Sequence, residues 1–303
     1  MDILISLINK LNNPSLVGLD TKLSYIPQYI KKTALKEFGN SPTAAAFAIT
    51  VFNKKIIDYI KDFVPAVKIQ MACYEEFGPS GIKALEETAK YAKQSGLYVI
   101  FDGKRNDIKS SMECYSNAYL GQTELFDGKK YSAFCCDSLT VNAYCGQDTI
   151  DAVLKDCEEF DKTIFVLLKT SNISSSNIQD IKTKSKTTIF EEMGRLCENL
   201  GKTTIGSFGY SKIGAVVGAT HKKDLESLRN MFENTFFLIP GYGAQGATAK
   251  DVSKAFKNKI GGIVNSSRQI LTAWQKNNAR EELFAEEARK EAEKMKKDLN
   301  MAI

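Results

Sequence analysis

Histidine is almost missing from this chain of 303 residues, which holds one, His221. A Ser-His-Asp or Cys-His mechanism would have that single residue to draw on. It stands in the polar run ATHKKD, which reads as a solvated loop or a helix start, so general acid work falls to Lys, Asp or Glu. Long apolar runs are missing as well, and the longest, 44–52, is about half of what a membrane span needs. The first ten residues, MDILISLINK, put Asp2 before a short apolar stretch and Lys10 after it, the wrong charge order for a secretory leader. There is no CxxC pair. The seven cysteines are odd in number, with Cys135 and Cys136 adjacent, so neither a disulfide framework nor a zinc ribbon follows. The net charge is +5, and the basic residues alternate with acids instead of forming the aromatic-interleaved stripe of a nucleic-acid binder. A mild positive excess suits an anionic small molecule. The expectation is a soluble cytoplasmic protein with reduced thiols and no nucleic-acid or membrane partner.

What is present is ordinary globular composition, 43% hydrophobic and 25% charged. The length admits two domains of about 150 residues each, or one closed α/β barrel, which runs to about 250 residues and more. Short β-branched runs at 16–20, 64–70, 97–102, 138–142, 163–169, 213–218, 235–240 and 260–265 read as strands. Helical periodicity fills most of the gaps, at 44–63, 81–95, 108–126, 149–160, 189–200, 222–232 and 248–257. Eight βα units imply a (β/α)8 TIM barrel whose working face lies at the C-terminal strand ends. The rival, an open doubly wound sheet, would show a Gly-rich turn after its first strand, where this chain has GLDTKLSY. Segment 170–188, rich in Ser, Asn and Lys, reads as a long functional loop after the fifth strand. The charged stretch 279–299 reads as an exterior helix with Glu286–Lys290 and Glu293–Lys297 pairs. No repeat or linker divides the chain, so one barrel domain over 1–303 is expected.

The densest ionisable cluster is FDGKRNDIKSS. Strand alternation puts Asp102 and Lys104 on one face, and Asp107 follows at or near a helix start. By itself this could be a helix cap at Asp107 plus an incidental ion pair. Lys68 changes the balance. It sits inside FVPAVKIQM, and a lysine buried on a strand needs an acid beside it. Asp102 on the next strand and Asp20, closing LVGLD on the previous one, are the candidates. Four charges of alternating sign across three neighbouring strand ends are hard to explain as structure alone. On the far side of the barrel, LIPGYGAQGAT and IVNSSRQIL follow strands seven and eight, where many such barrels bind phosphate. Gly241, Gly243 and Gly246 allow backbone amides to approach an anion, Gln245 adds a donor and Arg268 a forked cation.

Taken in order, GLD, VKIQ, the DxKxxDI block, PGYGAQG and NSSR resemble the orotidine 5′-phosphate decarboxylase family, from Asp20 to Arg268 and closest to its longer bacterial and protozoan branch. The resemblance implies a (β/α)8-barrel homodimer that converts orotidine 5′-monophosphate (OMP) to UMP with neither metal nor organic cofactor, the last step of de novo UMP synthesis. It implies Lys104 as proton donor to pyrimidine C6 and Asp102 against the departing carboxylate. Asp107, with Ile108 and Ser111, would be presented to the neighbouring site of the dimer. Asp20 and Lys68 would hold ribose hydroxyls, with Lys68 also in the charge array. Thr170 and Ser171 match the pyrimidine-edge position, Pro240 lines the base pocket, and Gln245 and Arg268 take the phosphate. Ser111 stands where threonine is more usual, and either hydroxyl can donate. With no phosphoribosyltransferase-like segment ahead of the barrel, the monofunctional form is expected. Two alternatives stay open. A metal-assisted relative acting on sugar phosphates would place an acid where Lys68 stands, and a non-catalytic phosphate-binding barrel would not need the four charges together.

Overall fold

The computed structural model describes every residue but Cys135, Ala244 and Gln245, with all side chains of the described residues except that of Lys222. Eight parallel strands close into a barrel: β1 (Ser15–Gly18), β2 (Ala66–Gln70), β3 (Tyr98–Arg105), β4 (Ser138–Val141), β5 (Thr163–Lys169), β6 (Ile213–Val217), β7 (Phe237–Pro240) and β8 (Gly262–Ser266). Each pairs with the next in chain order, and β8 returns to β1. Every strand expected from the sequence is present, displaced by a few residues at its ends. The open-sheet alternative is excluded by the β8–β1 pairing of Ser15 with Val264 and Val17 with Ser266.

Period-two burial explains why these segments are strands. Leu16, Ala66, Ile100, Phe165, Leu238 and Ile263 fill the barrel interior. Their neighbours Val17, Val67, Val99, Phe101, Ile164 and Val264 pack outward under the helices. The interior cluster is completed from below by Leu4, Ile5 and Ile8 of a helix over Asp2–Leu11, which sequence periodicity alone does not assign. A second such helix, Gln28–Phe38, buries Ile30 and Ala34. Both have an apolar stripe of the right period but follow no strand at the regular interval, which is what conceals them.

Three expectations need correction. The helix expected over 108–126 ends at Tyr119, and the chain then forms a hairpin of Thr123–Glu124 with Lys130–Tyr131. Gly121 marks the break, since a Cβ there would lie 2.6 Å from Asp156 Oδ2, and Gly128 turns the hairpin at φ 80°. The helix expected over 248–257 is a single turn, Ala249–Val252, followed by a 3-10 turn, Ser253–Ala255. Segment 170–188 is folded rather than open, with a 3-10 turn at Ile173–Ser175 and a short helix at Ser176–Gln179.

Candidate active site

The mouth of the barrel holds a cavity of about 590 Å³, lined on one side by Asp20, Lys68, Asp102 and Lys104 and on the other by Pro240 and Arg268. Strand register produces the first group. Gly18 is level with Lys68, and Lys68 with Ile100, while Gln70 is level with Asp102. Lys68 continues the inward row that begins at Ala66, and Asp102 the row of Tyr98 and Ile100. At the top of that row the Lys68 ammonium, 3% exposed, lies 3.1 Å from Asp20 Oδ1 and 3.0 Å from Asp102 Oδ2. Lys104 Nζ closes the array at 2.7 Å from Asp102 Oδ1 and remains 38% exposed to the cavity.

Burial alone would raise the Asp102 carboxyl, but the Lys68 ammonium and then that of Lys104 outweigh it and hold the group well below the usual carboxylate range. Burial alone would lower Lys68, yet Asp102 and Asp20 together push it above the ordinary lysine value. Both groups therefore stay charged at neutral pH. An ion pair so deeply buried gains little net stability against an apolar alternative, so its presence at a cavity wall points to use rather than to support.

Lys104 does not reach Asp102 by plain strand alternation. The β3–β4 register slips between Phe101 and Arg105, and Lys104 adopts φ 45° within that bulge. A non-glycine residue there is strained by roughly 1–2 kcal/mol. Its backbone N–H donates to Thr140 Oγ1 at 3.0 Å, and the same hydroxyl donates to Asp102 Oδ1 at 2.8 Å. Thr140 and Gln70, whose amide donates to Asp102 Oδ2 at 3.3 Å, are not singled out by the sequence. Both lie one strand step from residues that are, on the inward rows of β4 and β2.

Thr170 and Ser171 at the end of β5 also line the cavity, as does Asn172. In the loop after β7, Gly241, Gly243 and Gly246 take φ of 103°, 72° and 87°. Gln245 lies outside the described residues. Asn265 Oδ1 and Ser266 Oγ on the cavity wall are buried with no hydrogen-bond partner among the described residues. Asp107, Ile108 and Ser111 do not line their own chain's cavity. The helix cap weighed for Asp107 does not form. The N-cap is Ile108, and the Asp107 carboxylate accepts the Ile108 N–H at 2.7 Å. Ile108 is 64% exposed. Among the described residues no three His, Cys, Asp or Glu side chains gather as metal ligands, and no helix is long and apolar enough to cross a membrane.

The chain is similar to known proteins along its length. Residues 47–283 match the family model described as Orotidine 5′-phosphate decarboxylase / HUMPS family. A protein of Caldicellulosiruptor saccharolyticus named orotidine 5′-phosphate decarboxylase is 40% identical over 304 aligned positions, covering 100% of this chain and 98% of its own. One of Clostridium novyi with the same name is 42% identical, covering 96% and 95%. A Toxoplasma gondii crystal structure assigned as an orotidine-monophosphate-decarboxylase superposes with a TM-score of 0.74 at 27% identity, over 97% of this chain and 98% of that one. With the charge array on β1–β3, the glycine loop after β7 and likeness along the whole length, the chain belongs to the orotidine 5′-phosphate decarboxylase / HUMPS family.

Proposed function

We infer that this chain decarboxylates OMP to UMP and carbon dioxide, the closing step of de novo UMP synthesis, and that Lys104 supplies the proton. The C6–carboxylate bond breaks, its electron pair stays on C6, and a proton from the Lys104 ammonium replaces the lost group. Lys104 then regains a proton from water. The balance closes with no oxidant or reductant.

The observation that carries this reading is the Lys104 ammonium, partly exposed to the cavity and 2.7 Å from an Asp102 that stays ionised. A pair of electrons left on a ring carbon is poorly delocalised, so the site must bind the transition state better than the substrate. A substrate carboxylate placed about 4 Å from Asp102 would be repelled by about 4 kcal/mol at an effective dielectric near 20, or roughly three decades of rate. That covers part of the barrier, and the larger share falls to Lys104, which meets the developing carbanion and protonates it. Lys68, filled on both sides by carboxylates, occupies the space a metal-assisted relative would give to an acid and its ion.

Arg268 and Gln245, with the amides at Gly241, Gly243 and Gly246, take the 5′-phosphate; Asp20 and Lys68 take ribose hydroxyls; Thr170, Ser171 and Pro240 border the base. Asp107, Ile108 and Ser111 serve the site of a second copy in a cytoplasmic homodimer that needs neither nucleic acid nor membrane. The exposure of Ile108 and the position of Asp107 beyond the lining of its own chain's cavity support this reading. The test follows OMP loss by ultraviolet absorbance, with and without a chelator. Wild-type turnover is expected to survive the chelator, and Lys104→Ala should bind a UMP analogue while losing nearly all turnover. A tenth of wild-type turnover in that variant would overturn the assignment.

A further inference from the structure

Arg105 ends β3, directly after the strained Lys104 and two residues before Asp107. Strand pairing resumes at its backbone beyond the bulge. It is level with Val141, and its carbonyl accepts the Asn142 N–H at 3.0 Å. Its side chain, 20% exposed, does not line the cavity of its own chain. Nη2 donates to the carboxylate of Glu75, which ends the short helix Ala72–Glu75 after β2, and to the Tyr119 hydroxyl at 3.5 Å. The guanidinium carbon lies 5.6 Å from the Tyr115 ring centre and 5.7 Å from that of Tyr119, within cation–π range of both. Those tyrosines, four residues apart, share one face of the helix Lys109–Tyr119.

The side chain therefore spans the turn that carries Asp107. Arg105 holds one end of the turn by its backbone, and its guanidinium grips the helix that the other end enters. Residues 106–108 lie between. The turn has little else to fix it, since the helix start has no side-chain cap and Asn106 Oδ1 is buried with no partner among the described residues. Stability does not account for the clamp. Its ion pair is partly exposed at Glu75, where such pairs contribute little. The Arg105 Nε–H is buried without a partner among the described residues, which costs free energy. A planar fork held between two rings and a carboxylate serves to fix geometry.

We propose that Arg105, anchored by Glu75, is a positioning residue that aims the Asp107 of its own chain at the site of a second copy. This rests on the decarboxylase reading, in which Asp107 serves that second copy. The end of β3 is then divided between two sites. Lys104, fixed by the bulge and by Thr140, stays with its own chain, and the turn beyond Arg105 goes to the partner.

The experiment starts from Arg105→Met, which keeps an unbranched stem and loses the charge and the donors. A misplacement of about 1 Å costs up to about a hundredfold, so OMP turnover of this homodimer should fall roughly ten- to a hundredfold while sedimentation still shows a dimer. The discriminating measurement is complementation after joint unfolding and refolding in equal amounts. Mixed with Lys104→Ala, one site of the mixed dimer has an intact Lys104 from one chain and a well-aimed Asp107 from the other. Turnover should return to roughly a quarter of wild type. Mixed with Asp107→Ala, every site receives an absent or misaimed Asp107, and turnover should stay below about a tenth. Recovery with Asp107→Ala alone would show that Arg105 aims the Lys104 of its own chain, and recovery with neither would show a merely structural role. Either result overturns the inference, as does a homodimer at wild-type turnover. Wild type failing to decarboxylate OMP, or Lys104→Ala and Asp107→Ala failing to recover together, would instead overturn the reading on which it rests. Should Arg105→Met fail to fold or dimerise, Glu75→Ala makes the same comparison, and equal recovery with the two partners would overturn the inference.

Discussion

A single hydroxyl ties Asp102 to Lys104. Thr140 donates to the Asp102 carboxylate and accepts the N–H of Lys104, so it fixes both the acid's orientation and the bulge that aims the lysine. Thr140→Val keeps the shape and removes both bonds. A hydrogen bond to a charged group is worth about 1.5–3 kcal/mol, so kcat should fall by roughly ten- to a hundredfold. An unchanged kcat would show that Lys104 is aimed by other means. Asp102 and Lys68 make a second prediction at this scale. The Asp102 carboxyl is depressed, so its contribution to stability is complete above the unfolded value of about 4 and is lost as pH falls through the lower folded value. Lys68 is raised, so its contribution is complete below about 10.4 and is lost only as pH rises beyond that. Between about pH 5 and 9 the pair should add a constant increment. Denaturant melts of wild type and Asp102→Asn should differ by a fixed amount across that window and converge below about pH 4. A difference that changes near pH 7 would contradict an ionised Asp102 beside a protonated Lys68. The charges themselves were legible in the sequence because ionisable residues at strand ends have few structural uses. Thr140 and Gln70 were not, since a polar residue on a strand face shows nothing of its partner until the register is known.

Whole elements are placed by contacts that no local pattern announces. Arg229, 2% exposed, donates to the carbonyls of Ala255, Phe232, Glu233, Thr235 and Gly261 and stacks 3.9 Å from the Phe237 ring centre. It joins the entries of β7 and β8, the two strands that lead to the glycine loop and to Arg268, and burial pushes its guanidinium down to about 10. Arg229→Met would strand several buried carbonyls, each costing about 1–3 kcal/mol. Chemical denaturation should show a loss of at least about 3 kcal/mol, and a loss under about 1 kcal/mol would mean the carbonyls find other partners. The C-terminal helix, Phe284–Ala302, was legible as an apolar stripe of Phe284, Ala288, Ala292, Met295 and Leu299, all buried as expected. Its ion pairs were not. Lys290 pairs with Glu287 at 2.6 Å and Glu293 with Arg289 at 2.8 Å, in place of the spacings read from the sequence, because Glu287 and Arg289 are fixed by Asn277 and Asp62. The helix also reaches the segments after β7 and β8, where Gln269 bonds Glu291 and Tyr242 bonds Asp298 at 3.4 Å.

At the scale of the molecule, barrel closure was readable from eight strands in alternation, because a parallel sheet buried on both faces leaves continuous apolar runs. The helix that floors the barrel and the hairpin after Tyr119 were not, since each depends on packing against distant residues. The cavity of one chain gathers Lys68, Asp102 and Lys104 but leaves Asp107 outside, three residues from Lys104. In a two-fold dimer, what one copy lends, it also receives. Lys104→Ala and Asp107→Ala should each be nearly inactive as homodimers. When the two are unfolded and refolded together, a mixed dimer carries both lesions at one site and neither at the other. Turnover of OMP should then recover to roughly a quarter of wild type if chains pair at random. No recovery, with mixed dimers shown to be present, would mean that Asp107 serves its own chain and that the catalytic array is not shared.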